Sequence, residues 1–276
     1  MNHSVPRYIA WCPFVLSATL LTGIAGAAPP DVLGITMGMS AADAYIAVKA
    51  VDAGHRVSTG QFRIPELLGD KLAVYSFAPD TKDPSNNFYV NLTLPPSPQR
   101  VWQVYHQLGQ LHVTQQQALA SLTNKFGAKY RSRLPFTPTS SVGTFRWIYD
   151  EQGNLSDMPF SQEATCQQTN GVMNPLGAPV AGGPVAGILG SAQPDLQLRQ
   201  VPHPYDPATY PQCQHLVWVE ATIQGIGLTW TITVVITDYD LEHRSSIALI
   251  GFFNDLATKQ QNKELNQAEH TAVPKI

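Results

Sequence analysis

The chain predicts an α+β protein, with antiparallel sheet and helices packed on one face. Three observations carry this expectation. Capped amphipathic helices start at Ser40 and at Thr114. Runs of alternating apolar and polar residues surround them. Two longer strand-like runs, Leu216 to Ile223 and Leu228 to Thr237, are separated by the short turn Gln224-Gly225-Ile226-Gly227, the pattern of a hairpin. Because the helix grammar recurs, a tandem repeat of a helix-plus-sheet unit is one arrangement that fits.

Residues 1–27 have the layout of a signal peptide. Arg7 precedes an apolar run from Phe14 to Ile24, and Ala25-Gly26-Ala27 supplies a small-x-small cleavage pattern, so the mature chain is expected to start at Ala28. The run is shorter than the roughly 20 apolar residues that span a bilayer, and no later segment is apolar enough to serve. No transmembrane segment is expected after processing, and the expected location is periplasmic or secreted. Cys12 lies before the apolar run and follows Trp11, a layout that does not suit lipidation.

Residues 28–165 form the expected α+β region with two helix-plus-strand units. In the first, Ser40 and Asp43 make a variant capping box, Gly38 lets the chain turn into the cap, and Met39 is placed as a hydrophobic staple. Ala44, Ala47, Val48 and Val51 then recur at helical spacing up to Gly54. In the second, Thr114 and Gln117 form the box, and Ala118, Leu119, Leu122 and Phe126 the apolar stripe before Gly127. Leu72 to Ala78, Phe88 to Leu94, Val101 to Leu108 and Phe145 to Tyr149 alternate with the period of strands buried on one face.

Residues 166–213 read as a Gly/Pro-rich excursion, whose stretch 170–195 is apolar but aperiodic. Cys166 and Cys213, the two cysteines of the mature chain, are expected to pair in an exported protein and to fasten the ends of this excursion. Val180, Val185, Ile188 and Leu189 within it are candidate binding residues, since clustered exposed apolar side chains mark contact surfaces. Residues 214–276 are expected to hold the hairpin, a helix from about Leu241 to Lys259 with Ile247, Ile250, Phe253 and Ala257 facing inward, and a polar tail. Val234-Val235-Ile236 breaks the alternation and suggests a strand buried on both faces or covered by a helix.

Motifs for chemistry are few. A formal net charge of −3 with no basic cluster gives no footprint for nucleic acid. There is no Cys-x-x-Cys and no His-Glu-x-x-His, so no metal and no cofactor is expected. Leu189-Gly190-Ser191-Ala192 lacks the second glycine of a nucleophile elbow, and Ser-x-x-Lys does not occur. His106 and His112 are expected to flank a turn and His203 and His215 a Pro-rich loop, where a pairing with Glu220 or Asp238 is geometrically possible. Asp238 and Asp240 suit the capping of a following helix. Trp102, Tyr105, Trp147, Tyr149, Trp218 and Trp230 lie on expected strands, where core packing is the ordinary role and a sugar or peptide platform the alternative.

The run Leu33 to Ser40, with Gly38-Met39-Ser40 leading into an Ala-rich helix, resembles the helix entry of SmpA/OmlA-type envelope lipoproteins and of the helix-then-sheet unit of the β-lactamase inhibitory protein. The resemblance implies a sheet with helices on one face and action by binding other proteins. It carries no site residue over, and the lipidated cysteine of those lipoproteins has no counterpart at the expected mature terminus.

The functional expectation is an exported, non-enzymatic protein that binds another cell-envelope macromolecule, such as an envelope protein, through a sheet face or the excursion. The alternatives are a hydrolase of envelope or extracellular polymers, using His215 and Asp238, and a carrier of lipids or small molecules.

Overall fold

The computed structural model describes residues 29–51, 56–63, 65–80, 85–135, 141–159, 162–163, 166, 211–227 and 229–270. Residues 1–27, where a signal peptide is expected, Gly54, His203 and the candidate binding residues Val180, Val185, Ile188 and Leu189 lie outside these described residues.

A small ribbon comes first, β1 (Asp31–Val32) and β2 (Ile35–Thr36). The chain continues through α1 (Ala41–Val51), β3 (Val57–Arg63), a short helix α2 (Pro65–Leu68), β4 (Leu72–Pro79), β5 (Asn86–Leu92) and β6 (Val101–His112). Then come α3 (Gln115–Phe126), β7 (Arg131–Leu134), β8 (Val142–Tyr149), β9 (Val217–Ile226), β10 (Thr229–Asp238) and α4 (Tyr239–His270). Strands β3 to β10 form one eight-stranded antiparallel sheet in the order β3-β4-β5-β6-β10-β9-β8-β7. The expected α+β class holds. Each half of the sheet is a helix followed by four strands in chain order, and the fourth strands, β6 and β10, meet at the centre.

Local chemistry explains both leading helices. At α1 the Ser40 hydroxyl accepts from the Asp43 backbone N–H at 3.2 Å, and Gly38 turns into the cap with φ +77°. At α3 the box is reciprocal: Thr114 Oγ1 accepts from Gln117 N–H at 3.2 Å, and Gln117 Oε1 accepts from Thr114 N–H at 2.8 Å. Ala44 and Val48 of α1 and Ala118, Leu122 and Phe126 of α3 are buried, as their spacing predicts. They meet the inward residues of the strands, among them Phe77, Val90, Val104, Trp147, Val219, Ala221 and Ile236, in one continuous core. Full burial of a side chain of this size contributes about 1.5–3 kcal/mol.

Among the described residues, the second face of the sheet is covered at one end only. There α4 leaves β10 and packs Leu249, Phe252 and Phe253 against Ala73, Tyr75, Leu67, Leu68 and Leu94. Beside it Ile148, Met158, Leu216, Trp218 and Tyr239 enclose Cys166 and Cys213. The two cysteines meet at disulfide distance, with Cα atoms 5.3 Å apart across a sequence separation of 47.

Several expectations need correction. Strands β3 and β7 were not expected, because exposed edge strands carry no apolar alternation. His106 and His112 do not flank a turn; both lie within the twelve-residue β6, whose irregular step falls at Gln110 with φ +55°. The hairpin turn is tighter than Gln224 to Gly227, since β9 runs through Ile226. A Cβ at Gly225 would collide with the Thr229 carbonyl and with Trp230, which is why glycine stands there. Helix α4 extends to His270, past the expected end, and turns Glu242, His243, Ser245 and Ser246 inward while Ile247 is exposed. Among the described residues no helix is long and apolar enough to cross a membrane, which says nothing about strands.

The chain-entropy model assigns a closed loop of this length roughly 4 kcal/mol of stabilisation, so Cys213→Ser is expected to lower the melting temperature by about 10 °C. Thermal unfolding with and without reductant checks this, and coincident melting curves would contradict the bridge.

Candidate binding face

Register places the same residue types in rows across the uncovered end of the second face. One row runs Asn87, Gln107, Thr233, Thr222, Thr144 through β5, β6, β10, β9 and β8. The next runs Tyr89, Tyr105, Val235, Glu220, Arg146 and Arg131. Side chains alternate between faces along a strand, so the neighbours of these residues, such as Phe88, Val90, Val104, Val234, Ala221 and Phe145, point into the core. Asn87 is exposed, and Tyr89, Tyr105, Gln107, Thr144, Thr222, Thr233 and Val235 are half-buried.

Tyr89 and Tyr105 are stacked, with ring centroids 4.6 Å apart and planes 8° from parallel. Burial, with the neighbouring Tyr105, pushes the Tyr89 phenol well above its ordinary range, so it stays neutral. The Tyr105 hydroxyl donates to Gln107 Oε1 at 2.7 Å. Deeper toward α4, Asn91 Nδ2 donates to Gln103 Oε1 at 2.8 Å, and Gln103 Nε2 to Thr237 Oγ1 at 3.4 Å.

A charged clasp borders this face. Arg146, 2 % exposed, bonds Glu163 and Glu220 at 2.5 Å each, and Arg131 bonds the other oxygen of Glu163 at 2.5 Å. The guanidinium of Arg146 also lies 5.4 Å from the Trp218 ring centroid. Burial works against its charge, but the hydrogen bonds it donates to Glu220 and Glu163 outweigh this and hold it protonated. Two guanidiniums stand against two carboxylates, so the clasp is neutral overall. It ties the segment leading to Cys166 onto the sheet.

The residues weighed for acid–base chemistry have other partners. Asp238 Oδ1 accepts from Leu241 N–H at 2.9 Å and caps α4, as expected. Its carboxyl is pushed up to about 6 by burial and by Asp240, against the opposing pull of the Leu241 N–H, Arg244 and His215. His215 does not pair with Asp238 or Glu220. Its Nδ1 lies 3.5 Å from Asp240 Oδ2 and 3.0 Å from Arg244, which also bonds Asp240. His106 Nε2 lies 3.0 Å from Asn86 Oδ1 and packs edge-on against Phe88, and burial lowers its pKa. Trp147, Trp218 and Trp230 are buried and Trp102 is half-buried, and the stacked aromatic pair in the rows is Tyr89 with Tyr105. Among the described residues no group of His, Cys, Asp and Glu could hold a metal ion. Of the residues in the open rows, Tyr105, Val235 and Glu220 are singled out by the sequence. The spacings Thr229-x-Thr231-x-Thr233 and Gln103-x-Tyr105-x-Gln107 are the signal that points to the others.

Arg146→Met removes the charge that compensates buried Glu163 and is expected to destabilise the protein by about 3 kcal/mol. Adding Glu163→Gln should restore part of the loss, as read by urea unfolding; a single variant as stable as the parent would contradict the clasp. Glu242 gives a pH test. Its carboxyl, buried under α4 with the Ser246 hydroxyl 2.9 Å away, is pushed up by burial to about 8 from an ordinary 4.5. A carboxyl with a raised folded-state pKa binds more protons when folded, so stability is lost as pH rises from about 4.5 toward 8. Glu242→Gln should therefore gain on the order of 3 kcal/mol over the parent at pH 8.5 and little at pH 4.5. An equal difference at both pH values would contradict this.

The chain matches no protein-family model, no curated protein sequence and no solved structure.

Proposed function

We propose that the protein is an exported, non-enzymatic binding protein of the cell envelope, and that it engages another envelope macromolecule with the uncovered half of the second sheet face. The observation that carries this reading is the pair of rows through Thr222 and Tyr105, which hold phenol, hydroxyl and amide side chains in register across the centre of a sheet whose other face is sealed. A sheet backed by two helices is rigid, and presenting preordered polar groups reduces the ordering cost of binding. The periplasmic or secreted location is supported by the layout of residues 1–27 and by cysteines at disulfide distance, a pairing that oxidising compartments favour. The histidine–carboxylate contact at Asp240 serves the start of α4 and offers no pairing of His215 with Asp238 for hydrolysis.

A photo-crosslinking residue placed at Thr222 is expected to capture an envelope component in cells, while the same residue at Lys49 on the exposed side of α1 is not. Capture from Lys49 alone, or from neither site, would contradict the reading.

A further inference from the structure

We propose that the open half-face binds an uncharged polysaccharide strand lying across β5, β6, β10, β9 and β8. The inference rests on the binding reading above and names its ligand class. It comes from the balance of charge and hydrogen-bonding groups in the rows. The row from Asn87 to Thr144 holds two amides and three hydroxyls and no ionisable group. In the adjoining row the charged residues are Glu220, Arg146 and Arg131, which the clasp with Glu163 neutralises internally. A nucleic acid needs a basic surface to replace its counterions, and this face has none to spare. Protein contact sites centre on Trp, Tyr and Arg around an apolar middle, with Thr under-represented, whereas threonine dominates the middle of this row. A peptide adding to the sheet would use an edge strand, and β6, β10 and β9 are all interior.

An uncharged glycan meets each of these constraints. Its hydroxyls donate and accept, as do those of Thr144, Thr222 and Thr233 and the amides of Asn87 and Gln107. Neighbouring strands stand about 4.8 Å apart, so the row offers one such group per strand, a spacing comparable with the length of one sugar residue. The Tyr89–Tyr105 stack adds a fixed aromatic step beside the row, with a hydroxyl already oriented by Gln107. No group in the row has to give up a charge on contact.

The test is affinity electrophoresis of the mature chain in gels containing cellulose derivatives without charge, β-1,3-glucan, mannan or galactan, with heparin as the charged comparison. Retardation is expected with at least one neutral polysaccharide and not with heparin alone. Thr222→Val with Thr233→Val, which remove hydroxyls and leave the core face untouched, should weaken it about tenfold, the equivalent of one or two lost hydrogen bonds. Tyr105→Phe, which removes the hydroxyl that Gln107 orients, should weaken it while the protein still melts in one cooperative transition. Retardation by heparin alone, by no neutral polysaccharide, or undiminished in these variants would overturn the proposal. Crosslinking from Thr222 separates the two readings. Capture of a protein without glycan overturns the ligand class and leaves the binding face standing, and no capture removes both.

Discussion

The pairing of β6 with β10 holds the rest of the structure in place. These strands close the two halves of the chain onto each other, and their register sends Val104 and Ile236 into the core while it sends Tyr105 with Val235, and Gln107 with Thr233, to the other side. Because side chains alternate, a slip of one residue would drive Tyr105 and Gln107 into the core and expose Val104. The burial of Val104, Val234 and Ile236 makes such a slip costly, so the sealed face fixes what the open face displays.

The division of the second face into a covered and an uncovered end follows from polar chemistry as much as from apolar burial. Helix α4 is seated by Leu249 and by Ser245, whose hydroxyl accepts from Leu94 N–H at 2.7 Å and donates to Leu94 O at 3.1 Å. Glu242 rests under the helix in its neutral form, with its carboxyl raised by burial. On the β8–β9 side the cover is the disulfide-linked cluster and the Arg146 clasp. A buried ion pair is a poor source of stability in itself. Its effect here is positional: Glu163 can lie against the sheet only where Arg146 and Arg131 receive it.

Legibility in the sequence tracked how local each signal was. The caps at Ser40 and Thr114 and the stripes of α1 and α3 are written within a few residues, and the structure places them where spacing predicts. Strands β5, β6, β8, β9 and β10 were legible because one buried face imposes alternation. Strands β3, with Ser58, Thr59 and Gln61 exposed, and β7, with Ser132 and Leu134 exposed, lie at the sheet edges, where that pattern is erased. Of the stripe expected for α4, Phe253 packs against the sheet, but Ile247 is exposed and Glu242, Ser245 and Ser246 are buried instead, because hydropathy does not foresee satisfied polar groups. The open rows were illegible for a different reason. Gln107 and Thr233 become neighbours through a pairing between residues far apart in the chain, and no local window contains it.

The proposed function and the fold thus share one surface. The core-facing side of the sheet is committed to packing against α1 and α3, and among the described residues α4 and the clasp cover part of the other side. Methyl-resolved NMR of the mature protein, titrated with an envelope fraction, tests this most directly. The account predicts that the methyl signals of Thr144, Thr222, Thr233 and Val235 shift or broaden while those of Ala44, Val48 and Ala118 stay fixed. Perturbation confined to the residues of α1 and α3, with the open rows unchanged, would contradict it.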